Sequence, residues 1–155
     1  MNDDPAAIRR MARELFLRDD NRFGCAETVY LALKRIYSLP NAGDSGAAMA
    51  LNGGFAHTGS ICGALLGAAL GLGERQERDN ADHKQAKSVA REQVKQLLRR
   101  FEDAHGSIHC RDLIGYDVSI PAEHDRFIQS GIWKTQCMRQ IEFTLEQLSD
   151  IVQPE

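Results

Sequence analysis

Gly63, Gly67 and Gly71 recur at intervals of four inside the apolar run Ile61 to Gly73. On an α-helix that interval places all three on one face. Glycine in a helix interior is destabilising by roughly 0.5–1 kcal/mol relative to alanine, so three together need a compensating contact. The contact a bare face offers is close approach of a neighbouring backbone, as in the small-residue seams between membrane helices. The run is 13 residues long, short of the roughly 20 that cross a bilayer, so it reads as a buried helix. A chain that carries it needs a partner surface for that face.

The remainder of the chain supplies helices and no clean period-2 run of β-branched residues. Asp4 can cap and Pro5 can open a first helix with Ile8, Met11, Ala12, Leu15 and Phe16 on one face. Asp19-Asp20-Asn21 breaks it. A second helix starts at Gly24 or Cys25 and ends before Pro40, with Cys25, Val29, Leu33 and Ile36 as its stripe. The loop at Pro40-Asn41-Ala42-Gly43 and a short segment, Asp44 to Leu51, lead to the Gly-rich stretch Asn52 to Ser60. Thr58 or Ser60 is the expected N-cap of the glycine-faced helix. Glu74 to His105 reads as long, charged and helical, with Ala90, Val94, Leu97, Leu98 and Phe101 as a late apolar stripe and Gly106 as its stop. Cys110 to Ile114 reads as one short turn, and Pro121 opens the next helix. Ile132 to Val152 is the last, with Cys137, Ile141, Leu145, Leu148 and Val152 on its stripe. The expectation is an all-α single domain over residues 1–155. It is a compact bundle of four to five main helices, with a Gly-rich loop before a glycine-faced central helix.

Charge narrows the partners. Nineteen basic residues against 22 acidic give a net charge of −3, whereas a nucleic-acid binder carries a basic excess or stripe. The start Met1-Asn2-Asp3-Asp4-Pro5 is acidic and lacks an apolar signal core. With no spanning segment either, a cytoplasmic location without a membrane partner is expected. Four cysteines in 155 residues are too few for a disulfide scaffold. In a reducing compartment they are metal ligands, redox-active thiols or small buried hydrophobes.

Those cysteines are Cys25, Cys62, Cys110 and Cys137, separated by 37, 48 and 27 residues, with no Cys-x-x-Cys pair among them. Thioredoxin-type chemistry and ordinary zinc knuckles therefore lack a local signature. Cys25 and Cys62 fall at predicted helix starts and Cys110 opens a short one. The unpaired N–H groups and positive dipole end there favour a thiolate, which is both nucleophile and metal ligand. Cys137, mid-helix on an apolar stripe, fits plain packing best.

The cysteines and their neighbours, Gly24-Cys25-Ala26-Glu27, Gly53-Gly54, Gly59-Ser60-Ile61-Cys62-Gly63-Ala64-Leu65-Leu66-Gly67, Cys110-Arg111-Asp112-Leu113-Ile114-Gly115 and Cys137, carry a resemblance. Over about Phe23 to Cys137 the chain resembles the redox-active protein family named for a C…GCAxxG…C…C pattern. The resemblance implies a helical domain whose thiols lie close in space. A related domain of split-Soret cytochromes implies cysteines that hold an iron–sulfur cluster. No Cys-x-x-Cys-His is present for covalent haem.

Three functions compete. In the first, Cys25, Cys62, Cys110 and Cys137 bind an iron–sulfur cluster, or zinc as the alternative, for electron transfer or redox sensing with a redox partner protein. In the second, the chain exchanges thiols and disulfides with Cys62 as nucleophile and His57, five residues before it, stabilising the thiolate. In the third, it is a non-enzymatic helical interaction module, with the glycine face as a homodimer seam and Trp133 as an anchor. His105 and His109 share metal-like spacing with Cys110, but Gly106 and Ser107 argue against a rigid pair. The Gly53 to Gly59 loop lacks the Gly-Lys-Ser/Thr of a phosphate-binding loop.

Overall fold

Seven α-helices form in the computed structural model, which describes residues 4–152: α1 Pro5–Phe16, α2 Cys25–Ile36, α3 Gly63–Asp79, α4 His83–His105, α5 Cys110–Ile114, α6 Pro121–Ser130 and α7 Gln136–Ile151. Two 3₁₀ segments, Gly46–Leu51 and Ile132–Lys134, link them. The expected all-α bundle is what forms. The acidic start Met1-Asn2-Asp3, and with it both ends of the expected 1–155 span, lie outside the described residues. No helix among the described residues is long and apolar enough to cross a membrane.

Local chemistry fixes most helix ends. Asp4 Oδ1 accepts the Ala6 N–H at 3.1 Å and Pro5 takes the first position of α1, where its missing N–H is no loss. Gly24, at the N-cap of α2, has no side chain to cap with. Asn52 supplies the cap from a distant loop, its Oδ1 accepting the Ala26 N–H at 3.0 Å. A Cβ on Gly24 would stand 2.3 Å from the Asn52 Cγ, so the glycine is what admits the borrowed cap. Glu27 closes the box by accepting the Gly24 N–H at 3.2 Å and the Asn52 amide at 2.8 Å.

The helix behind that cap is the most enclosed in the fold. Residues 26–34 of α2 are all buried, so its four-residue stripe is only part of a buried circumference. The buried Lys34 ammonium is held by the Asn41 and Asp44 carbonyls at 3.2 and 2.9 Å, as a buried charge requires. Leu65 and Leu72 of α3, Leu97 and Phe101 of α4, and Ile141, Leu145 and Leu148 of α7 complete the core.

The glycine face of α3 lies against α2. A Cβ on Gly63 would meet the Cys25 Sγ at 2.4 Å, one on Gly67 the Ala26 carbonyl oxygen at 2.3 Å, and one on Gly71 the Leu33 Cδ1 at 2.6 Å. The face is consumed within the chain, against α2. The nearest α2 residue differs for each glycine, so the two helices are set in depth and register together.

Three boundaries differ from expectation, each for a local reason. Neither Thr58 nor Ser60 caps α3; Cys62 occupies that position. An isolated antiparallel bridge joins Ile61 to His109, with Cys62 N–H bonded to Ile108 O at 2.8 Å and Cys110 N–H to Ser60 O at 2.7 Å. That pairing keeps the backbone extended until Gly63. The charged stretch from Glu74 is not one helix: α3 runs on to Asp79, Asn80 turns its amide back to Gln76 O at 2.9 Å, and Asp82 caps α4 through the Lys84 N–H at 3.0 Å. The last predicted helix is also divided, since Ile132–Lys134 is 3₁₀ and α7 begins only at Gln136. That division moves Cys137 from mid-helix to the second residue of a helix.

Candidate functional site: four thiols at four helix starts

Each cysteine now stands at the start of a different helix: Cys25 opens α2, Cys62 caps α3, Cys110 opens α5 and Cys137 is second in α7. All four are free thiols; Cys62 is buried, 3% exposed, and the other three are partly buried. The contact between α2 and the glycine face of α3 sets the Cys25 sulfur against Gly63, the residue after Cys62. The Ile61–His109 bridge then draws Cys110 to the same end of the fold.

A loop of unusual handedness packs against this end. Gly53, Gly54, Phe55, Ala56 and His57 all have φ between 52° and 71°. A left-handed conformation costs a non-glycine residue roughly 1–2 kcal/mol, so the loop needs its ties. Ala56 N–H bonds Ala50 O at 2.8 Å, Ser60 N–H bonds Gly54 O at 2.8 Å, and Thr58 Oγ1 donates to Phe55 O at 2.7 Å. A Cβ on Gly54 would stand 2.6 Å from the Cys110 Cβ, so only glycine lets the loop close over that cysteine.

Electrostatics ties the thiols together. Burial pushes the Cys25 thiol up, opposed by the N–H groups of Gly53, Ala26, Cys25 itself and Gly63. Burial and then the neighbouring Cys25 push Cys62 up, against the N–H groups of Ala64 and Leu65. Cys110 is pushed up to about 12 by burial and by Cys25. Cys137 is raised by burial first, then by Cys25, Cys62 and Cys110. The expected lowering at helix starts is therefore reversed, because desolvation of a thiolate outweighs the amides that face it. Without a cation the resting form of all four is the neutral thiol. Cys62, the proposed nucleophile, is buried and protonated, the opposite of what attack requires.

Cys25, Cys110 and Cys137 line a cavity of about 320 Å³; Cys62 is not among its lining residues. Phe16, Phe23, Phe127 and Trp133 form apolar wall. Trp133 packs edge-on to Phe16 at 5.7 Å and donates to Ile128 O at 3.2 Å, so it serves this wall. His57 does not act on Cys62 from the loop. Its ring lines the cavity and stacks on His124 of α6 at 5.2 Å. Burial, with His124 beside it, holds His57 below the usual imidazole value. His105 stacks on Phe101 at 4.4 Å and His109 faces Asp112 at 3.9 Å, so they form no pair with Cys110. Among the described residues no three Cys, His, Asp or Glu side chains are already gathered at metal-holding distance.

Three participants were invisible to sequence reasoning. Asn52 is a cap supplied from a loop, His124 reaches the site through α6, and Gln140 meets Cys62 with Oε1 3.6 Å from Sγ. Gln140 follows Cys137 by three residues and so shares its helix face, the one signal that could have found it.

A family described as "Putative redox-active protein (C_GCAxxG_C_C)" matches residues 23–151. No curated protein and no solved structure matches the chain.

Proposed function

From the premise that the chain belongs to the C_GCAxxG_C_C family of redox-active proteins, we propose that Cys25, Cys62, Cys110 and Cys137 hold one thiophilic metal centre. An iron–sulfur cluster is the favoured occupant and zinc the alternative. The role is electron transfer or redox sensing with a separate redox partner protein.

The observation that carries this reading is that Cys25, Cys110 and Cys137 line one cavity while the Cys25 sulfur lies against Gly63, the residue after Cys62. Cys137 is raised by burial first and then by the other three cysteines, although the four come from four helices. Four thiolates cannot share a poorly solvated site without a positive ion, and a thiophilic cation supplies it. The donor set fits: four soft ligands, which is the number both common clusters and structural zinc take. The described side chains stand apart, so loading is expected to draw them together.

An iron–sulfur cluster, when bound, supplies one-electron chemistry at a potential set by its surroundings. The chain's own residues do the rest. The N–H groups of Gly53, Ala26 and Gly63 face the Cys25 sulfur, and those of Ala64 and Leu65 face Cys62. Such donors stabilise a negative sulfur and tune its potential. Phe16, Phe23 and Trp133 keep the cavity wall apolar, which limits water at the sulfurs.

The test is purification without oxygen, with iron, zinc and acid-labile sulfide measured beside the visible spectrum. Iron and sulfide in stoichiometric amounts with broad visible absorption are expected, and each single Cys→Ser variant loses most of both. One zinc and no colour selects the alternative. Metal-free protein after anaerobic purification and reconstitution overturns the reading.

A further inference from the structure

We propose that Gln140 is the positioning residue for the Cys62 sulfur: its side-chain amide turns its oxygen to the thiol and its N–H to the same sulfur once a metal has replaced the proton. The first half stands on the metal-free chain, and the second rests on the metal-centre reading.

Gln140 lies on α7 and is 3% exposed. A fully buried amide between Met138 and Ile141 is expensive unless both its ends are bonded. One end is bonded: Oε1 lies 3.6 Å from the Cys62 Sγ, with the thiol as donor. The other end is not. Gln140 Nε2 is buried and has no hydrogen-bond partner among the described residues. An orphaned buried donor carries the full cost of its lost hydration. The amide thus reaches the site with one group engaged and its opposite group idle.

That idle group is the one a metal-bound sulfur needs. A thiol donates through its proton. A thiolate, free or metal-bound, has no proton and only accepts. Left in place, the Gln140 carbonyl would then set its lone pairs against those of a negative sulfur. A half-turn about the last side-chain bond exchanges oxygen and nitrogen within nearly the same volume. It delivers Nε2–H to the sulfur and leaves a carbonyl as the under-used group, which proteins tolerate better than an orphaned N–H. Glutamine serves both states of Cys62, whereas leucine would serve neither and glutamate would oppose the loaded one.

The experiment uses the full chain with Gln140→Leu, Gln140→Met and Gln140→Glu. Circular dichroism and thermal melting confirm that each folds, and Gln140→Met, close in volume, stands in if Gln140→Leu does not. The infrared S–H stretch of Cys62 is isolated as the difference between each metal-free protein and its Cys62→Ala counterpart. In the wild type it is expected at the lower frequency of a bonded thiol, moving to the free-thiol position in Gln140→Leu or Gln140→Met. Zinc affinity is then measured by chelator competition. Loss of the second-sphere donor is expected to weaken binding about 10–100-fold, with Gln140→Glu at least as weak. An S–H band that stays where it was removes Gln140 from the Cys62 sulfur and overturns the proposal. A shifted band with unchanged zinc affinity overturns the amide reversal. If the wild type binds no metal while the band shifts, the metal-centre reading and the reversal fail, and the thiol contact alone survives.

Discussion

A missing methyl group decides the depth at which α2 and α3 meet. The carbonyl oxygen of Ala26 occupies the space a Cβ on Gly67 would need, at 2.3 Å, and backbone cannot yield as a side chain can. Gly67→Ala is expected to destabilise the chain by about 1–3 kcal/mol, the range for overpacking, read as a lower urea midpoint. Gly73 is the control on the same helix. A Cβ there meets nothing within 4 Å and its φ is helical. Gly73→Ala is therefore expected to raise stability by about 0.5–1 kcal/mol, the helix-interior difference between the two residues. If both variants moved in the same direction, the close approach would not be what Gly67 is for. The glycine interval was legible in the sequence because a four-residue repeat is a property of one helix. Gly24 was not, because its reason is Asn52, a residue of another segment.

At the scale of elements, Asn52 tests whether α2 depends on a cap it does not carry. Asn52→Ala removes the acceptor from the Ala26 and Glu27 N–H groups and the donor to Glu27. A cost of about 1 kcal/mol is expected, with faster hydrogen exchange confined to the first turn of α2. That turn carries Cys25, so the same variant is expected to weaken metal binding beyond its effect on overall stability. Helix existence was readable almost throughout, since Asp4-Pro5, Pro121, Gly106 and Gly115 mark their boundaries locally. The divisions that were missed depend on context. Asn80 and Asp82 are two more polar residues in a charged run until one turns back to Gln76 and the other caps Lys84. Thr135 looks like helix interior until Ile132–Lys134 winds as 3₁₀ ahead of it, and only then does Cys137 come to a helix start.

The whole molecule stores four thiols in neutral form, and this gives its stability a dependence on pH. A folded chain whose thiols ionise only above their ordinary value binds more protons in alkali than the unfolded chain does. Its stability must then fall as pH rises. For Cys110 that window runs from about 9 to about 12, and Cys25, Cys62 and Cys137 shift in the same direction. Metal-free protein is expected to lose urea resistance steadily above pH 9, and Cys110→Ala is expected to flatten part of that slope. A slope identical in the variant would place the titration elsewhere. Metal loading would remove the effect, because a coordinated sulfur has already given up its proton. Loading should also stabilise the fold by about 2.7 kcal/mol at a free metal concentration 100 times Kd. The cysteine types and spacings were visible in the sequence, and the resemblance implied that they gather. What gathers them is tertiary: the α2–α3 contact brings Cys25 to Cys62, and the Ile61–His109 bridge brings Cys110.

The contact between α2 and the glycine face also says where this lineage can gain or lose residues. Gly63, Gly67 and Gly71 measure off Cys25, Ala26 and Leu33 like marks on a ruler. One residue added or deleted within 63–71 or 25–33 would slide every mark beyond it and rotate that part of the bare face by about 100°, bringing side chains where backbone must fit. The exposed connection at 18–22 carries no such marks, and surface connections absorb changes in length. Descendants of this chain are therefore expected to differ in length between α1 and α2 and to keep one unbroken count from the first cysteine through Leu33, and another from the second cysteine through Gly71.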